Sequence, residues 1–150
     1  MFQALHRLLA GFDDAPDAAG QNDTAFALAV LLIQVACTDD RFDDAEESVI
    51  ERMLARRFDL TRHEIVALLD AAKERALQAT DLFHFTRVVV DEMGETERIG
   101  VVEMLWEVAE ADGECTGDED SLIRRVAGLI YVSDHDRGEA RRRVRGRLSG

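Results

Sequence analysis

The feature that most constrains the fold of this chain is an internal repeat. Residues 35–46 can be laid over residues 108–119 without a gap, at an offset of 73 positions. The similarity continues through pairs of like residues: Ser48 with Ser121, Ile50 with Ile123, Phe58 with Tyr131 and, after one deletion, His63 with His135. Self-similarity on this scale indicates a duplicated supersecondary unit. We therefore expect two halves, each with a helix, an acidic turn, a second helix, a short turn and a third helix.

The composition favours helices around one closed core. Of the 150 residues, 47% are hydrophobic, which is ample for a single domain. One proline and ten glycines leave few interruptions, and no segment alternates long enough to indicate a sheet. The longest apolar run, residues 25–36, is broken only by Gln34 and is shorter than the roughly 20 residues that a membrane span needs. We predict an all-α fold without a transmembrane segment.

The spacing of apolar residues places about eight helices along the chain. A short amphipathic helix ends near Gly11, and the segment after it contains the only proline, Pro16. A second helix should begin at Asn22 or Asp23 and run to about Thr38. The other six are predicted at about 43–58, 61–78, 80–93, 95–111, 116–130 and 133–146. The predicted organisation is an N-terminal helix and linker at 1–20, then one helical domain at 21–150 that ends in an arginine-rich helix.

Charge is distributed unevenly. The formal net charge is −13, yet residues 137–150 carry six arginines and one glutamate. An acidic body repels phosphate backbones, which argues against nucleic acid and leaves cations or basic protein surfaces as ligands. The basic tail either docks on the acidic body, stays solvated, or binds anionic lipid or an acidic partner; its thin apolar face disfavours firm membrane binding. Cys37 and Cys115 form no CxxC pair and no secretory signal is visible, so we expect a cytoplasmic protein.

Four sites have the pattern of a helix-capping box, in which a first residue and the residue three positions later cap each other's backbone amides. They are Asp43 with Glu46, Thr61 with Glu64, Thr116 with Glu119 and, more weakly, Ser133 with Asp136. A capping residue contributes about 1 kcal/mol. These carboxylates therefore have a structural use at the positive end of a helix.

The acidic turns are also candidate cation sites. The pattern of an aspartate followed seven residues later by a glutamate occurs twice, as Asp39 with Glu46 and as Asp112 with Glu119. Hard divalent cations prefer several oxygen ligands, which a turn between helices can supply. An EF-hand is excluded because, with Gly113 at its sixth place, an apolar valine occupies the first. A weaker, partly hydrated site and simple helix capping both stay open.

The sequence contains no clear pattern for a nucleophilic catalytic site. The serines lack a nucleophile-elbow context, and neither cysteine lies beside a histidine in sequence. His63 and His135 lie in first helical turns, where we expect them to be solvated, and His84 should be half-buried. The larger apolar side chains are expected in the core: Trp106, Phe26, Phe83, Phe85 and Met104. We do not expect an enzyme.

The second acidic turn resembles the signature of the TerB family of tellurite-resistance proteins, a family also related to the N-terminal region of the co-chaperone DjlA. That signature is an Ala-x-Ala-Asp-Gly turn, a glutamate seven residues after the aspartate, and an apolar helix. Residues 109–113 with Glu119 match it, whereas residues 36–40 with Glu46 lack the glycine. The resemblance covers residues 22–140. It implies an orthogonal helical bundle with pseudo-twofold halves.

The resemblance also implies a metal-associated site but no reaction. The site would be formed by Asp39, Glu46, Asp112 and Glu119. The expected function is a non-enzymatic, bacterial stress-response module for interaction or sensing that binds calcium, magnesium or manganese and no other cofactor. The alternative is a metal-free protein–protein adaptor whose carboxylates serve only as helix caps. A protein partner is expected in either case, and a homodimer stays open.

Overall fold

A computed structural model describes residues 21–38, 44–79, 81–111 and 115–149, which form seven α-helices and no strand. They are α1 (Gln21–Ala36), α2 (Asp44–Phe58), α3 (Arg62–Gln78), α4 (Phe83–Glu92), α5 (Glu95–Ala109), α6 (Gly117–Leu129) and α7 (Asp134–Ser149). The all-α prediction is confirmed. The predicted first helix lies outside the described residues, as do Asp39, Asp43 and Asp112 of the acidic turns.

The helix α1 lies at the centre of the bundle. Every residue from Ala25 to Ala36 is buried except Gln34, which is half-buried. A helix that is apolar on all sides is stable only when other elements surround it, and α1 contacts α2, α3, α4, α5 and α6. The Gln34 side chain donates a hydrogen bond of 2.8 Å to the carbonyl oxygen of Ala76 in the last turn of α3. The one polar group of the run is thereby satisfied.

The contacts between helices follow the predicted duplication. Helices α1, α2 and α3 form one half, α5, α6 and α7 form the other, and α4 connects them. Within the halves, α3 packs on α1 just as α7 packs on α5. Between the halves, α1 contacts α6 and α2 contacts α5. The two halves are therefore interlocked around α1 and α5, which also contact each other.

The short turns after α2 and α6 are equivalent and shift the repeat alignment by one residue. Asp59 has φ 51° and Tyr131 has φ 61°, the left-handed conformation typical of the residue after a helix end. After α6, Val132 N–H donates to Ala127 O at 2.9 Å and Tyr131 N–H to Gly128 O at 3.2 Å, as in a Schellman motif. Tyr131 thus corresponds to Asp59, and the pairing of Phe58 with Tyr131 was wrong. The deletion lies within the helix, where the sequence has no marker for it.

Two local predictions also need correction. Phe83 was expected in the core but is 54% exposed, because Phe85 and Val89 occupy the inward face of the short helix α4. This helix begins at Phe83 and not near residue 80, since the Asp81 carboxylate accepts a hydrogen bond of 2.9 Å from Phe83 N–H. His84 is half-buried, as predicted.

Candidate cation site

Two of the four predicted ligands are buried glutamates at matching positions. Glu46 is the third residue of α2, Glu119 is the third residue of α6, and each is only 2% exposed. Glutamate is almost never fully buried unless its carboxylate has partners. The aspartates expected to complete the set, Asp39 and Asp112, lie outside the described residues, so the structure does not test whether the four carboxylates meet.

The Glu119 carboxylate completes the predicted capping box of α6. Its Oε1 accepts a hydrogen bond of 2.9 Å from Thr116 N–H, and Glu119 N–H donates to Thr116 Oγ1 at 3.1 Å. The carboxylate thus lies at the positive end of the α6 dipole. Helix capping is therefore one reason why Glu119 is buried. A carboxylate has two oxygens with about four acceptor positions, so the hydrogen bond from Thr116 N–H uses only part of the capacity of the Glu119 carboxylate.

The capping boxes at the third helices are exposed by comparison. Thr61 and Glu64 cap each other with hydrogen bonds of 3.0 and 3.2 Å, and the hydrogen bonds from Thr61 lower the pKa of the Glu64 carboxyl. At α7 only half of the box forms, where Asp136 N–H donates to Ser133 Oγ at 3.1 Å. Glu64 is not buried, although its capping geometry matches that of Glu119. Capping therefore does not by itself require burial of the carboxylate.

The backbone enters both acidic turns at equivalent points. Helix α1 ends at Ala36, and α5 ends at Ala109, 73 residues later. Thr38 closes the end of α1 by donating its hydroxyl hydrogen to Val35 O at 2.9 Å, while Ala111 N–H donates to Val108 O at 3.2 Å. In each half the candidate aspartate is the third residue after the helix end.

The third helix of each half brings a cation to the carboxylate next to the buried glutamate. Lys73 Nζ of α3 lies 2.6 Å from Glu47 Oε1. At the corresponding carboxylate of the second half, Arg141 of α7 lies 3.6 Å from Asp120 Oδ1, and it also lies 3.4 Å from Glu110 Oε1. The sequence did not predict these ion pairs. The only signal was that Glu47 and Asp120 are equivalent by the repeat offset.

Cys115 is half-buried in the second turn. Burial, with smaller contributions from Glu119, Asp120 and Glu110, raises the pKa of this thiol to about 11 against the opposing effect of Arg141. Cysteine nucleophiles require the opposite, a lowered pKa that produces thiolate at neutral pH. The pKa of Cys115 is therefore too high for a nucleophile, chiefly because the thiol is buried.

The described residues alone do not form a metal site. In residues 21–38, 44–79, 81–111 and 115–149, no group of three or more His, Cys, Asp or Glu side chains could hold a metal ion. His63 and His135 are both exposed in the first turns of α3 and α7. No helix among these residues is long and apolar enough to cross a bilayer.

The model of the family described as "Tellurite resistance protein TerB" matches residues 25–142, from α1 to the middle of α7. No curated protein and no solved structure matches the chain. The matched segment contains both acidic turns and all four candidate ligands.

Proposed function

Because the chain belongs to the TerB family of tellurite resistance proteins, we propose that it is a non-enzymatic module for sensing or interaction that binds a divalent cation through its two acidic turns. The ligands would be the side chains of Asp39, Glu46, Asp112 and Glu119. We further propose that it acts in a bacterial stress response, in the cytoplasm, through a protein partner. Kinship with the N-terminal region of DjlA stays a prediction.

The observation that carries the proposal is the matched burial of Glu46 and Glu119. These two carboxylates, at equivalent positions of a duplicated unit, belong to residues that are each only 2% exposed. Desolvating a carboxylate is costly unless hydrogen bonds or a cation compensate it. Capping explains a hydrogen bond to Glu119, but the exposed cap at Glu64 has the same geometry without burial. A cation shared with the turn aspartates would add to the compensation that the protein partners of these carboxylates supply.

The donor set fits calcium, magnesium or manganese. Four carboxylates provide only oxygen ligands, which hard cations prefer over nitrogen or sulfur. Binding would stabilise the folded protein by mass action, since the unfolded chain has no preformed site. It would also couple the ends of α1 and α5 to the starts of α2 and α6. Such coupling is what a sensing module requires, because occupancy would then change the stability of both halves.

The second candidate is a metal-free adaptor, and the ion pairs of the third helices favour it. Lys73 and Arg141 already neutralise Glu47 and Asp120 beside the buried glutamates. In that case the carboxylates cap helices and orient these cations, and function resides on an exposed surface. The two candidate functions make different predictions: only the cation-binding module should gain stability against unfolding when a divalent cation is added.

Thermal unfolding with and without calcium, magnesium or manganese distinguishes them. For a real site we expect one of these cations to raise the Tm progressively with its concentration above the Kd, with about 2.7 kcal/mol of added stability at a hundredfold excess over the Kd. Asp39→Asn and Asp112→Asn should each abolish the effect. Asp91→Asn is the matched control, since Asp91 is exposed on α4 and pairs only weakly with Arg87 at 3.8 Å. Cation-independent Tm values in the wild type would select the metal-free adaptor.

A further inference from the structure

Helices α3 and α7 occupy equivalent places in the two halves but are held by different forces. Helix α3 buries four apolar side chains: Ile65, Leu68, Leu69 and Ala72. Helix α7 buries only Ala140 and Val144. Because apolar burial contributes roughly in proportion to area, α7 has much the weaker hydrophobic anchor. The two equivalent helices therefore differ in how they are held: α3 by buried apolar side chains, and α7 by something else as well.

Ion pairs to α5 replace the missing apolar contacts of α7. Three arginines of its second half reach two glutamates of α5 and Glu110, the residue that caps its C-terminal end, at short distances: Arg143 to Glu103 at 3.1 Å, Arg145 to Glu110 at 3.0 Å, and Arg147 to Glu103 at 2.9 Å and Glu107 at 2.8 Å. The glutamates are largely covered, whereas the arginines are about half exposed. These pairs are therefore accessible to screening by salt.

The same helix covers the only tryptophan of the chain. Trp106 of α5 is 1% exposed, and the Arg141 guanidinium carbon lies 4.4 Å from the centre of its ring. A cation stacked on an indole ring in this way stabilises the contact. Displacement of α7 would remove this cover, so Trp106 is an intrinsic probe of whether α7 is docked.

The ion-paired segment also lies beyond the part of the chain that matches the family. The match ends at residue 142, and Arg143, Arg145 and Arg147 follow it. The family match therefore does not include the arginines that bind this part of α7 to the rest of the protein.

We propose that α7 is an ionic latch, which releases from α5 when its arginine–glutamate pairs are screened while α1 to α6 stay folded. At 1 M salt the Debye length falls to about 3 Å, and exposed pairs lose most of their attraction. Partial opening of a helix with few buried apolar contacts is a common local transition. Release uncovers Trp106 together with Glu103, Glu107 and Glu110, an acidic and partly apolar face with the chemistry to accept a basic helix.

Hydrogen exchange and tryptophan emission of the full chain test the latch. Between about 0.05 and 1 M NaCl, we expect amides of residues 141–149 to exchange at least about tenfold faster, the sum of several weak pairs. Amides of α1, α3 and α5 should keep their protection, and Trp106 emission should move to longer wavelength. Equal α7 protection at both salt concentrations overturns the proposal. So does loss of protection in α5 at the same salt concentration.

Charge-removing variants on one helix give a matched comparison. Arg143→Gln and Arg147→Gln each remove a cation that reaches α5, and should open α7 at low salt. Arg142→Gln removes the same charge, but Arg142 pairs with Glu139 on its own helix. This variant should leave α7 exchange and Trp106 emission unchanged. If all three variants behave alike, net charge and not the latch controls α7, and the proposal fails.

Discussion

Glu46 and Glu119 occupy the same position in the two halves, each the third residue of a helix and each 2% exposed. Glu119 shows what one of these carboxylates does, since its Oε1 accepts a hydrogen bond from Thr116 N–H at 2.9 Å. Helix capping and cation binding make different demands on the side chain. A cap needs a neutral or charged acceptor, whereas a divalent cation needs negative charge.

Replacement of Glu119 by glutamine and by alanine separates these two demands. The amide oxygen of the introduced glutamine can still accept from the cap amide, so we expect Glu119→Gln to change stability by less than about 1 kcal/mol without cation. Glu119→Ala loses the cap and leaves a cavity, which should cost about 1–3 kcal/mol. Chemical denaturation measures both values. Equal losses in the two variants would mean that the charge, and not the cap, stabilises α6.

The left-handed conformation of Tyr131 predicts a stabilising substitution. Tyr131 has φ 61° and is 73% exposed, so its side chain gains little from packing. A residue with a Cβ loses roughly 1 kcal/mol in this conformation, and glycine does not. Tyr131→Gly should therefore raise the free energy of unfolding by about 0.5–1 kcal/mol, a change that chemical denaturation can measure.

Tyr131→Ala is the control for that substitution. Alanine also removes the exposed ring but keeps the Cβ, so we expect no gain in the free energy of unfolding. A gain of the same size in both variants would show that the tyrosine ring, and not the backbone conformation, is unfavourable.

The raised pKa of Cys115 predicts a thiol with low reactivity. With a pKa of about 11 instead of 9.0, the thiolate fraction at pH 8 falls by roughly a hundredfold. Alkylation by iodoacetamide, measured in a Cys37→Ala background, should be correspondingly slow. Its rate should rise about tenfold per pH unit up to about pH 11. Arg141→Gln should slow alkylation at pH 8 further, because Arg141 lowers this pKa. Faster alkylation in that variant would contradict this assignment.

The central position of α1 predicts a high cost for any cavity there. Leu31 is 0% exposed among five neighbouring helices, and Leu31→Ala should cost about 3–5 kcal/mol. Leu77→Ala removes the same atoms from a residue that is 87% exposed, so its effect should stay within about 0.5 kcal/mol. Equilibrium unfolding of both variants measures the difference. Similar values would mean that α1 is not the core helix.

Features encoded in local spacing were predictable from the sequence. The apolar run of residues 25–36 predicted the buried helix, and the capping boxes at Thr61 and Thr116 placed the starts of α3 and α6 within a residue. Local signals suffice in these cases because a cap or a buried face is determined by residues three or four positions apart.

Features that depend on distant contacts were not predictable. Helix α7 continues to Ser149, past the expected end at 146, because its last arginines reach glutamates on α5 some 40 positions earlier. The pairing of Lys73 with Glu47 also joins separate helices. The sequence did not predict the burial of Glu46 and Glu119, because glutamates usually lie on the protein surface.

The most direct test of the central claim is an NMR amide titration of the metal-free protein with calcium, then magnesium and manganese. A bipartite cation site predicts saturable changes confined to residues 39–47 and 112–120, by chemical shift for the first two ions and by line broadening for manganese. The same changes should disappear in Asp112→Asn. Flat or diffuse, unsaturable changes would contradict the claim and assign the buried carboxylates to helix capping alone.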